Sequence, residues 1–110
     1  MPHCIIEYSH DITIKASALM CAVYEGALAS NLFEENHIKT RAIAYEHYQK
    51  GAEKDKFIHI STRILSGRTL EQRMMLSNKV LKKLVALGLK SVTITVEVIE
   101  MERESYVKQS

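Results

Sequence analysis

The chain has 110 residues, 46% of them hydrophobic, which suits one domain over residues 1–110 with a real but small core. Its formal net charge of +2, from 15 basic and 13 acidic residues, gives no strong field toward nucleic acid or anionic membrane. Cys4 and Cys21 lack metal or redox spacing, and neither a secretory leader nor a run of about 18 apolar residues occurs, so a reduced, soluble, cytoplasmic protein is expected.

The first element, "PHCIIEY", reads as a strand with Cys4, Ile6 and Tyr8 on one face and His3, Ile5 and Glu7 on the other. A helix is expected between about Asp11 and Phe33, where Leu19, Ala22, Val23 and Gly26 recur at three- and four-residue steps beside small residues. In "HIKTRAIAYEHYQ", alternation sets Lys39, Arg41, Ile43 and Tyr45 against Ile38, Thr40, Ala42 and Ala44, a second strand. After the polar turn "KGAEKDK", the stretch "FIHISTRIL" alternates Ile58, Ile60 and Ile64 against His59, Ser61 and Arg63.

In "SGRTLEQR", a glycine turn leads into a helix whose capping box is Thr69 with Gln72. Leu70, Met74, Ser77, Leu81 and Leu84 are expected to line its packed face, with Gly88 at the C-terminal cap. Met74 and Met75 read as helix packing. "SVTITVEVIE" then sets Val92, Ile94, Val96 and Val98 against Thr93, Thr95 and Glu97. The charged end "MERESYVKQS" reads as a frayed terminus or an arm on a neighbouring subunit.

The order is strand, helix, strand, twice over. Right-handed crossovers would put both helices on one face of a four-stranded sheet, an α+β fold. The other face is then apolar or mixed and needs a cover, for which self-association is the simplest means.

Pro2 is the only proline in the chain. It could merely begin an edge strand, where a missing N–H does no harm. If Met1 is removed, however, its ring nitrogen becomes a terminal secondary amine. An α-amino group titrates near 8, and burial or nearby cations lower that value, making it a better base at neutral pH. Lys39, Arg41, Arg63, Arg68 and Arg73 are the available cations. Arg68, just before a helix start, would add its charge to backbone N–H groups that already favour anions, although a solvated loop arginine is the plain alternative. Arg41 shares a strand face with Lys39, where an edge or interface ion pair is the alternative. Cys4 reads as a small buried hydrophobe rather than a nucleophile. His3, His10, His37, His47 and His59 have no paired helical spacing, so no metal site is read. No phosphate loop, dinucleotide fingerprint or nucleic-acid module occurs.

Pro2 opening a strand, the doubled strand–helix–strand order, "IKTR", and the run Gly67 to Arg73 together resemble the tautomerase superfamily, and most closely its 5-carboxymethyl-2-hydroxymuconate isomerase family. The likeness extends from Pro2 to about Glu100. It implies a homotrimer and a cofactor-free isomerase acting on an unsaturated 2-hydroxy or 2-oxo acid in aromatic-compound catabolism. Pro2 would be the proton-transfer group, with Arg41, Arg68 and Lys39 binding substrate. Lys39 departs from the arginine often found there, and Ala42 and Ala44 from bulkier residues expected in an apolar pocket wall. The competing readings are a tautomerase of phenylpyruvate-like enols, hydration or dehalogenation of unsaturated acids, and a non-catalytic ferredoxin-like binding or assembly domain.

Overall fold

In the computed structural model, which describes residues 1–110, the alternating segments form strands β1 (His3–Ser9), β2 (Lys39–Tyr45), β3 (Lys56–Leu65) and β4 (Val92–Met101). Helix α1 (Ala16–Ala29) joins β1 to β2, and α2 (Leu70–Val85) joins β3 to β4. The sheet order is β2, β1, β3, β4. Each half pairs in parallel, and β1 meets β3 antiparallel with Ile6 opposite Ile60. This is the expected four-stranded α+β sheet with both helices on one face.

Alternation sorts the side chains cleanly between the two faces. Cys4, Ile6, Ile58, Ile60 and Ile64 turn toward the helices and are buried with Leu19, Val23, Ala27, Leu76, Val80 and Leu84. Each large member contributes on the order of 1.5–3 kcal/mol by leaving water. The helices are close-packed through Gly26, where an added Cβ would stand 2.6 Å from the Val80 Cα. No helix is long and apolar enough to cross a membrane.

Three expectations are corrected. The strand β1 is internal, so Pro2 does not begin an edge; it precedes the ladder, and its carbonyl accepts the Lys39 N–H at 3.1 Å. Helix α1 is shorter than expected, because the Ile12 N–H turns back to the Ser9 carbonyl and Asn31, at φ 59°, ends the helix in the left-handed region. On α2 the packed stripe is Leu76, Val80 and Leu84, whereas Leu70 is 62% exposed and Met74 54% exposed. That stripe is set by the approach of α1 and β4, not by which helical face carries more apolar residues. Ala42 and Ala44 lie on the helix side of β2, where Ala42 packs on the core. The capping box is present: the Thr69 hydroxyl accepts from the Gln72 N–H, and the Gln72 side chain accepts from the Thr69 N–H.

The helix-free face is mixed. Its rows carry Ile5, Ile43 and Phe57 among His3, Glu7, Arg41, Tyr45, His59 and Glu97. Two polar clusters cross it: Tyr45 donates to Glu7, and His59 lies 2.6 Å from both Thr95 Oγ1 and Glu97 Oε2. Ile43 remains 52% exposed.

Candidate active site

At one end of the sheet, the start of β1 meets the start of β2, the end of β3 and the chain that follows β4. His3 lies beside Lys39 in one direction and Arg63 in the other. Pro2 is buried at this junction. Its predecessor, Met1, lies over the site with its sulfur 3.4 Å from Lys39 Nζ and 3.9 Å from Lys108 Nζ.

The charge around the chain start has one sign. Burial holds the amino terminus below its ordinary value, and Lys39, Arg68, Arg103 and Lys108 push it in the same direction. Lys39, Arg41, Arg63, Arg68, Arg103 and Lys108 all lack a carboxylate within ion-pair distance. Burial and then Arg41, Lys39, the amino terminus and Arg63 lower the His3 pKa. Such an arrangement favours a neutral amine and attracts an anion.

Individual side chains are held by different means. Arg41 Nη1 is 3.3 Å from His3 Nδ1. The Arg68 Nη2 donates to the Leu32 carbonyl at 2.7 Å, and its guanidinium lies 5.7 Å from the Phe33 ring centroid. Arg68 is thus anchored to the chain after α1 while Gly67, at φ 122°, turns the backbone before it. Arg73, counted among the available cations, goes elsewhere: it lies 3.6 Å from Glu100. Cys4 is fully buried, and burial raises its thiol to about 11, so at neutral pH it is an apolar packing group.

Sequence reasoning missed His3 and the C-terminal residues Arg103, Tyr106 and Lys108. The tail folds back on its own chain: the Tyr106 hydroxyl lies 2.9 Å from His3 Nε2. No periodicity marks such an irregular segment, and only its charged residues gave a signal.

The family of 5-carboxymethyl-2-hydroxymuconate isomerases matches residues 2–110. The chain belongs to this isomerase family. No curated protein matches it by sequence. Among solved structures, it is similar to a 5-carboxymethyl-2-hydroxymuconate isomerase from Deinococcus radiodurans R1, with TM-score 0.84 and 20% identity over 99% of this chain and 89% of that one. A 5-carboxymethyl-2-hydroxymuconate delta-isomerase gives TM-score 0.82 and 17% identity over 100% of this chain and 88% of that one. A fused 4-OT wild type symmetric trimer gives 0.81 and 14% over 98% and 93%. At such identities these likenesses establish the shared fold, and the family match establishes a cofactor-independent isomerase of the tautomerase type. In this isomerase the cation cluster lies at the end of the chain where the family match begins.

Proposed function

We propose that this isomerase moves a proton along an unsaturated 2-hydroxy acid of the 5-carboxymethyl-2-hydroxymuconate type, using Pro2 after removal of Met1. While Met1 is attached, the Pro2 nitrogen is an amide without useful basicity. Once freed, the secondary amine takes the 2-hydroxyl or allylic proton and returns a proton to a different carbon, giving the conjugated ketone. One group acts as base and then as acid. Lys39, Arg41 and Arg68 hold the carboxylates and offset the charge that gathers on the 2-oxygen in the dienolate. Lys39 does so as a point charge, whereas either guanidinium can grip a carboxylate through two N–H bonds.

The observation that carries this reading is the set of unpaired cations around the buried Pro2, which together with burial hold the Met1 amine preceding it below its usual pKa. A phenylpyruvate-like enol has one carboxylate, and a cluster of this size favours a substrate with more. Supporting the homotrimer are the mixed helix-free face and the likeness to a structure described as a symmetric trimer. In this reading residues 1–110 act as one cytoplasmic domain.

The test is ultraviolet absorbance of 2-hydroxymuconate and its 5-carboxymethyl derivative with untagged protein whose intact mass shows Met1 absent. Conversion of either acid is expected. Failure to convert both would contradict this substrate class.

A further inference from the structure

The tail after β4 is held to the site by a clasp. Arg103 donates its backbone N–H to Ser66 Oγ at 3.3 Å and its Nε–H to the Ser66 carbonyl at 3.1 Å, while the Ser66 N–H donates to Met101 at 2.9 Å. Ser66 begins the same "SGRT" turn that presents Arg68. From this anchor the chain reaches back to β1, with the Tyr106 ring packed edge-on to His3 at 6.1 Å.

Donor chemistry fixes the direction of the hydrogen bonds. A guanidinium only donates, so His3 Nδ1 accepts from Arg41, and the neutral ring carries its proton on Nε2. Nε2 therefore donates to the Tyr106 oxygen, 2.9 Å away. The Tyr106 O–H is left to donate to something else, and no protein acceptor lies in range. Lys108 is in a similar position: its ammonium meets only the Met1 sulfur, a weak acceptor shared with Lys39. Removal of Met1 deprives both ammonium groups of that contact and opens the volume between them.

We propose that Tyr106 and Lys108 are substrate-binding residues that grip an additional carboxylate, so that the C-terminal arm selects polycarboxylate substrates over dicarboxylates. The proposal rests on the substrate class given above. Arg103 is the positioning residue that fastens the arm. Lys108 supplies the charge, and Tyr106, polarised through Arg41 and His3, supplies a directed hydroxyl. A carboxylate arriving between Lys39 and Lys108 would take the place now filled by the Met1 thioether.

Calorimetric titration of Met1-free protein with tricarballylate and with glutarate tests this without relying on turnover. Wild type is expected to bind the tricarboxylate about tenfold more tightly than the dicarboxylate, the size of one charge-assisted contact. That ratio should fall below about threefold in Lys108→Gln and in Tyr106→Phe, and Lys108→Arg should keep it. Unchanged melting temperatures in these variants would show that their loss of selectivity is local and support the proposal. Absence of the preference in wild type, or its survival in both variants, overturns the proposal. If wild type also failed to convert the hydroxymuconates, the underlying substrate reading would fall separately, since the titration does not depend on it.

Discussion

Gly26 on α1 and Val80 on α2 meet backbone to backbone: a Cβ on Gly26 would stand 2.6 Å from the Val80 Cα and 2.9 Å from the Lys79 carbonyl oxygen. Neither neighbour is a flexible side-chain tip, so the helices would have to separate. Gly26→Ala is therefore expected to destabilise the protein by about 1–3 kcal/mol despite alanine's better helix propensity. Thermal or urea denaturation measures it, and a stabilised variant would show that the helices do not meet there.

The stripe on α2 yields a paired contrast. Leu76 is fully buried and Met74 is 54% exposed, although both are apolar residues of one helix. Leu76→Ala should cost about 2–5 kcal/mol, and Met74→Ala less than about 0.5 kcal/mol. Comparable losses in monomeric protein would mean that the helix is rotated from the orientation described. In an oligomer, a large loss at Met74 would instead locate an interface there.

The two thiols should separate on exposure. Cys4 is buried and raised to about 11, whereas Cys21 is exposed and donates to Glu25, which raises it above its ordinary value. At mildly alkaline pH a thiol reagent should label Cys21 slowly and Cys4 only after denaturation. Rapid labelling of Cys4 in native protein would contradict its burial.

The charged site predicts different kinetic losses at different positions. Pro2→Ala leaves a primary amine in place of a secondary one and should lower kcat without abolishing it. In the proposed mechanism Arg41→Ala and Arg68→Ala each remove a positive charge facing the dienolate and should lower kcat/KM by about 10²–10³. Arg73→Ala, whose guanidinium faces Glu100 rather than the chain start, should change kcat/KM far less while lowering the melting temperature. Equal kinetic losses at Arg68 and Arg73 would dissolve the distinction.

The readable parts of this chain were those governed by local rules. Strict alternation marked β3 and β4, and the Thr69–Gln72 spacing marked the start of α2, because each signal lies within a few neighbouring residues. The face of α2 was misjudged because Leu70 and Met74 are apolar but point away from the sheet, a choice made by the contact of Gly26 with Val80. Pro2, Lys39, Arg41 and Arg68 were legible as candidates through motif and strand phase, and they do converge. Tyr106 was not, because it meets His3 across 103 residues of chain through a tail without periodicity. The pairing of Arg73 was hidden in the same way: Arg73 lies on α2 and its partner Glu100 on β4.

The proposed chemistry depends on the amine that removal of Met1 would free on Pro2. In this structure the terminal amine is that of Met1, and burial, then Lys39, Arg68, Arg103 and Lys108, lower its pKa; the same cations would act in the same direction on a Pro2 amine freed by removal of Met1. For a base whose neutral form reacts, kcat/KM must rise with pH through that lowered pKa and then level, so that activity is retained at neutral pH and lost on acidification. The most direct measurement is a nitrogen-15 NMR titration of Pro2 in Met1-free protein beside the pH profile of kcat/KM. A single transition shared by both curves and displaced below that of a free N-terminal proline is the expected result; a proline nitrogen still protonated where the enzyme is fully active would contradict Pro2 as the base.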